Sequence, residues 1–228
     1  RQFVPIDDCM IMDAGINRIL NILQHHCGET TQLSIRYGVN TKEFLIQPTL
    51  KTTHISIPTG QKHYNESLRN KYFRVASPSF FQVNIKQMDN LINLVREELR
   101  LSGSEIIVDA YAGVGTFALL LNDHAAKVIA IEESPAAIED ALVNSSDTPN
   151  VEFIQGKTET ILNSMQDSPH GIILDPPRKG CHPSTLDALN RLRPKRIVYV
   201  SCDPITLARD LKLLCDGAFY LEKVHPVD

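Results

Sequence analysis

The stretch Asp109-Ala110-Tyr111-Ala112-Gly113-Val114-Gly115-Thr116-Phe117 decides the fold. It follows the apolar run Glu105–Asp109 and opens an amphipathic stretch over Gly115–Asn122. A strand therefore runs through a glycine-rich turn into a helix. Two glycines let the backbone turn sharply and approach a ligand closely. Glu132 follows Gly113 by 19 residues and ends the next apolar run, where a carboxylate can accept hydrogen bonds from ribose hydroxyls. Ala118 stands at the third glycine position of the G-x-G-x-x-G pattern, a variant that the pattern allows. On its own the loop reads as a site for a nucleotide-like cofactor, S-adenosylmethionine or a dinucleotide, or as tight packing alone.

Outward from this loop, apolar runs at Lys127–Ile131, Val151–Ile154, Gly171–Leu174, Arg196–Ser201 and Ala218–Val224 alternate with amphipathic stretches. The helical stretches are Pro135–Asn144, Thr158–Gln166, Pro183–Arg191 and Ile205–Cys215, with a further helix, Gln87–Arg100, ahead of the first strand. Such alternation predicts βαβ units, a mostly parallel sheet and right-handed crossovers, an α/β fold. Residues 1–74 differ in pattern. They hold a helical stretch near Ala14–His25 and two alternating runs, Gln32–Tyr37 and Glu43–Pro48, joined by a turn at Tyr37–Asn40. We expect a small α+β module over 1–74 and a larger domain over 75–228.

Two strand ends carry chemistry. Leu174-Asp175-Pro176-Pro177-Arg178-Lys179-Gly180 is a stiff loop, because two prolines deny it a ladder or a helix. It places Asp175 at the ligand end of the sheet, although a helix-capping role is also open. Tyr199-Val200-Ser201-Cys202-Asp203-Pro204 puts Cys202 on the same rim, beside a helix N-terminus, where a thiolate is favoured over a thiol. Cys27, Cys181 and Cys215 read as buried, inert cysteines, the common fate of a free thiol.

The bulk properties bound the answer. The 228 residues are 43% hydrophobic and 22% charged, a globular composition, and no apolar run approaches the length of a membrane span. The net charge of −4 favours a small-molecule enzyme over a nucleic-acid binder, unless a local basic face or a further segment supplies affinity. Arg191, Arg193, Lys195 and Arg196 read either as phosphate contacts or as a solvated helix end. Five scattered cysteines, odd in number, argue against a disulfide framework and fit a cytoplasmic setting. They provide no closed metal site, and no obligate protein partner is evident.

Taken in order, the glycine loop, the Asp-Pro-Pro-Arg-Lys-Gly loop over 175–180, Ser201–Asp210 and the opening Ser77–Asn84 resemble the uracil-C5 RNA methyltransferase family, which makes 5-methyluridine in tRNA and rRNA. The resemblance is close over 77–228 and loose over 1–76. It implies a Rossmann-like class I methyltransferase sheet, S-adenosylmethionine as cofactor and a structured RNA as partner. It also implies roles: Cys202 as nucleophile, Gln82, Tyr111, Gly113 and Thr116 along the cofactor, Glu132 on its ribose, and Asp175 as the acid of its loop. Many relatives carry Asn where this chain has Asp203, which changes the charge beside the nucleophile.

The family's general base is a glutamate beyond the sixth strand, and the sequence stops at Val224-His225-Pro226-Val227-Asp228. Arg1-Gln2-Phe3-Val4-Pro5 reads as the cut edge of a longer protein, and Val4–Cys9 resembles the neighbourhood of the last iron–sulfur cysteine of some relatives. Cys9 reads equally as an orphan cluster ligand or as an ordinary cysteine. Without the base and an RNA-binding barrel, we expect these residues alone to be catalytically dead. The rival readings are a methyltransferase acting on an amino group of nucleic acid or protein, which needs no nucleophilic cysteine, and a non-catalytic cofactor- or RNA-binding fragment.

Overall fold

The structure, a computed structural model, describes residues 5–227. Arg1–Val4, most of the segment read above as a cut edge, and Asp228 lie outside the described residues. The chain forms two compact units, residues 1–79 and 80–228.

In the first unit, helix α1 (Ala14–Leu23) begins at Asp13, whose carboxylate accepts the Gly15 N–H at 2.7 Å. Strands β1 (Ser34–Tyr37) and β2 (Phe44–Gln47) pair antiparallel, from Ser34 opposite Gln47 to Tyr37 opposite Phe44. Ile19 and Leu23 of α1 pack against Ile46 and Leu50 to form this unit's core. A second hairpin, β3 (His63–Leu68) and β4 (Lys71–Ala76), was not anticipated, and residue 74 lies within it. Its two-residue turn, Arg69-Asn70, has both φ angles positive, at 51° and 63°. Glu66 of β3 is buried and accepts the Val39 and Asn40 N–H groups, which pins the turn of the first hairpin.

In the second unit, helix α2 (Ile85–Leu99) precedes strand β5 (Ile106–Ala110), then α3 (Thr116–Leu121), β6 (Lys127–Glu132), α4 (Pro135–Asn144), β7 (Val151–Gln155), α5 (Thr158–Ser164), β8 (Gly171–Leu174), α6 (Pro183–Leu192), β9 (Arg196–Tyr199) and α7 (Pro204–Cys215). The five strands are parallel, in the order β7-β6-β5-β8-β9. This is the expected α/β sheet. Its central strands β5 and β8 are apolar except for Asp109, because helices cover both faces. Val108, Ala110, Ile172 and Leu174 pack against Leu162 of α5 and Leu186, Leu189 and Leu192 of α6. On the opposite side, the carboxylate of Asp109 reaches Ala118 of α3. The order reverses at β5, so the loops after β5 and β8 leave the sheet at its switch point, where ligands of such sheets bind.

One expected strand is not formed. Residues 218–227 take no regular structure, and β9 is the sheet's edge among the described residues. The run Ala218–Val224 looks apolar, but its charged members are held elsewhere. Glu222 pairs with Arg100 and Arg196 at 3.2 and 3.1 Å, and Lys223 pairs with Glu98 at 3.0 Å. Side-chain pairing along α2 and β9 takes the place of a backbone ladder.

Candidate active site

An open cleft lies at the carboxyl ends of β5, β6, β8 and β9. Gln82, Tyr111, Gly113, Thr116, Glu132, Asp175 and Cys202 all line it. These are the residues singled out from the sequence: Gln82 precedes α2, Tyr111, Gly113 and Thr116 run from β5 into α3, Glu132 ends β6, and Asp175 and Cys202 follow β8 and β9.

The glycine loop is braced by Glu132. One carboxylate oxygen accepts the Gly113 N–H at 2.8 Å and the other accepts the Ser134 N–H at 2.7 Å. A carboxylate has about four acceptor positions, so hydroxyl donors can still be received. A side chain at Gly113 would meet nothing within 4 Å, so open space stands above the loop. Gly115 caps α3 at φ +90°, and a Cβ there would come within 2.8 Å of the Phe153 ring. Both the angle and the close approach therefore demand glycine. Thr116 opens α3. Tyr111 takes φ +75°, an uncommon conformation for a residue with a side chain. Its hydroxyl lies 3.5 Å from that of Thr185 on α6, so the phenol points into the core side of the cleft rather than into solvent.

Asp109 was quoted in the motif but given no role. It is fully buried, and its Oδ2 accepts the Ala118 N–H at 2.9 Å while Oδ1 has no hydrogen-bond partner among the described residues. Burial pushes its carboxyl up to about 7, against the Ala118 hydrogen bond and aided by the nearby charges of Asp175 and Glu132. Burial likewise pushes Asp175 up to about 6. An acidic residue inside Ile106-Ile107-Val108-Asp109-Ala110, an otherwise apolar strand, was the available signal, because charged residues are seldom fully buried without a reason.

On the other side, Cys202 is exposed one residue before the cap of α7. Asp203 accepts the Ile205 and Thr206 N–H groups, each at 2.9 Å. Those hydrogen bonds, Thr206's first, hold its carboxyl below the usual range. The Asp found where many relatives have Asn thus serves as the helix cap. Cys181 is buried, as expected of an inert thiol, and burial pushes it up to about 11. Cys215 corrects the same expectation: it is exposed, because it ends α7 facing away from the core.

The first and last members of the basic group are engaged by protein. Arg191 donates to the carbonyls of Leu162, Asn163 and Met165, and Arg196 donates to the Glu98 carbonyl and Glu222. Cys9 exchanges hydrogen bonds with Asn17, and no group of three or more potential metal ligands occurs among the described residues. No described helix is long and apolar enough to cross a membrane.

The family model for tRNA (uracil-5-)-methyltransferase matches residues 39–224. The chain belongs to this family. Within the family's reach, an uncharacterized RNA methyltransferase of Oceanobacillus iheyensis is 31% identical over 97% of this chain and 61% of its own length. Another, from Clostridium acetobutylicum, is 42% identical over 74% of this chain and 38% of its own. The chain thus spans less than two thirds of these relatives. Among solved structures, the Pyrococcus abyssi tRNA (uracil-54, C5)-methyltransferase in complex with S-adenosyl-L-homocysteine superposes with a TM-score of 0.74 at 26% identity, covering 93% of this chain and 64% of the other.

Proposed function

We propose that the protein containing this family member transfers a methyl group from S-adenosylmethionine to carbon 5 of a uridine in ribosomal or transfer RNA, with Cys202 as the nucleophile. The observation that carries this reading is the exposed Cys202 on the rim of the cleft that also holds the Gly113–Glu132 pair. The residues suit the cofactor. Open space lies above Gly113, Glu132 has acceptor positions left for ribose hydroxyls, and Asp175 lines the cleft, where its ionised form would offer charge to a cation. Gln82, Tyr111 and Thr116 complete the lining.

When bound, S-adenosylmethionine supplies an electrophilic methyl group. Carbon 5 of uracil is too weak a nucleophile to take it unaided. The Cys202 thiolate adds to carbon 6, forming an S–C6 bond and driving the ring's electrons into an enolate that makes carbon 5 nucleophilic. After carbon 5 is methylated, a base removes its hydrogen as a proton. The electron pair left behind restores the C5–C6 double bond and expels the Cys202 thiolate. The uridine must leave its stack to reach the cleft. Free thiols throughout the chain suit the reducing cytoplasm, where we place the protein.

The test is RNA carrying 5-fluorouridine at the target. Fluorine cannot leave as a proton does, so the full-length protein should be trapped as a covalent complex on Cys202. Absence of the complex, together with a methylated amino group in the product, would replace this reading with the amino-group one.

A further inference from the structure

A fully buried carboxylate on α7 ties together the two loops that carry Asp175 and Cys202. Asp210 has no exposed surface. Its Oδ2 accepts the Cys181 N–H at 2.8 Å and the Tyr199 hydroxyl at 2.7 Å. Its Oδ1 accepts the Arg209 Nε–H at 2.8 Å. The same guanidinium donates to the Lys179 carbonyl at 2.9 Å, and one turn earlier Thr206 donates to the Arg178 carbonyl at 3.0 Å. Three residues of the loop that starts at Asp175, Arg178, Lys179 and Cys181, are therefore held by Thr206, Arg209 and Asp210 of α7. Gly180 has φ +77°, and a Cβ there would come within 2.5 Å of the Arg209 guanidinium and 2.6 Å of Asp210 Oδ2, so the loop's glycine exists to let this pair approach.

The ring closes through Tyr199, the last residue of β9 and three residues before Cys202. Burial and the Asp210 hydrogen bond raise the Tyr199 phenol above its ordinary range, which keeps it a donor. The α7 N-terminus, capped by Asp203, continues directly from Cys202. Strand end, helix and loop thus share one anion. Hydrogen bonds to a charged acceptor are roughly twice as strong as neutral ones, and a buried charge persists only when it is paired in this way.

Resting on the methyltransferase reading above, we propose that Asp210 is a positioning residue: through Cys181, Tyr199 and Arg209 it sets the Asp175 loop and the Cys202 loop in fixed register, so that attacking sulfur and cofactor-side carboxylate meet one uridine together. It touches no substrate itself. Misplacement of a reacting group by about 1 Å can cost roughly 100-fold in rate.

The experiment compares Asp210→Asn and Tyr199→Phe with wild type in the full-length protein. It reads cofactor Kd by calorimetry, the rate of covalent complex formation with 5-fluorouridine RNA, and kcat for methyl transfer. Asp210→Asn should lower adduct rate and kcat together by roughly 10- to 100-fold, with Kd within about twofold of wild type. Tyr199→Phe, which removes one donor, should lower both by less. Ile92→Ala, in the α2 core, controls for stability: it should lower the melting temperature and leave kcat unchanged at assay temperature. A folded Asp210→Asn or Tyr199→Phe protein with wild-type adduct rate would overturn the proposal, as would a loss equal to that in Ile92→Ala at matched melting temperature. Failure of the wild-type protein itself to form the adduct would refute the methyltransferase reading instead.

Discussion

The two halves of the cleft are built by different means. On the β5–β6 side, backbone N–H groups converge on carboxylates: Gly113 and Ser134 on Glu132, and Ala118 on Asp109. On the β8–β9 side, backbone N–H groups also meet carboxylates, Cys181 on Asp210 and Ile205 and Thr206 on Asp203, but side chains in addition converge on carbonyls and on one another, through Thr206, Arg209, Asp210 and Tyr199. The first arrangement belongs to a short motif and leaves acceptors facing open space. The second draws on residues from two loops and a helix and leaves a thiol exposed. We propose a division of labour in which Glu132 sets cofactor affinity on the first side and Cys202 sets rate on the second, with Asp175 adding charge from the second side.

The sharpest way to break that division is Cys202→Ala. In the full-length protein it should abolish methyl transfer and the 5-fluorouridine adduct while calorimetry finds cofactor affinity unchanged. Cys181→Ala and Cys215→Ala should still form the adduct. A Cys202 variant that methylates at the wild-type rate would end both the mechanism and the comparison. The complementary change is Glu132→Ala. It should weaken cofactor binding by about 1.5–3 kcal/mol, roughly 10- to 150-fold in Kd. Undiminished affinity would remove Glu132 from the cofactor's ribose.

How much of this was legible in the sequence follows the same line. The β5–β6 side is local, so a strand, a glycine turn and an acid at the right distance could be read directly, and α4 and β8 fall where their patterns put them. Asp210 sits in an unremarkable helix, and only the folded structure brings it to Cys181 and Tyr199. The β3–β4 hairpin escaped because its turn is Arg69-Asn70, without the glycine that marks such turns. The run Ala218–Val224 misled in the other direction. An edge is free at β9, but Glu222 and Lys223 are drawn to neighbouring charges instead of into a ladder.

A smaller effect probes the carboxylates beneath the cleft. Burial raises Asp175 to about 6 and Asp109 to about 7. A cationic ligand binds their ionised forms better, so cofactor affinity should rise with pH between about 5 and 7.5 and level off above, by at most tenfold per pH unit for each proton lost. Asp175→Asn should remove the lower part of that rise. A flat profile in the wild type would show that neither carboxylate meets the ligand's charge.

The least effect concerns stability without ligand. A carboxyl whose folded pKa lies above its unfolded value holds its proton more tightly when folded. Stability therefore falls as pH rises from about 3.8 toward 7, and is flat beyond. Asp109→Asn keeps an acceptor for Ala118 and cannot ionise. Its melting temperature relative to wild type should improve between pH 5 and pH 8. An unchanged difference across that range would mean that Asp109 titrates normally.

The strand order carries a consequence for how the cleft comes into being. β5 pairs with β6 across α3 alone among the α-helices, but with β8 only across α3, β6, α4, β7 and α5. Contacts between distant parts of a chain form late, since a long loop must close first, and synthesis delivers the chain from its N-terminus. The nascent β5–β6–β7 half thus has its partners before Asp175 and Cys202 leave the ribosome. On the proposed roles, the Cys202 thiol joins the half that carries Gly113 and Glu132 only as the last strand docks, so an unfinished chain keeps the two apart.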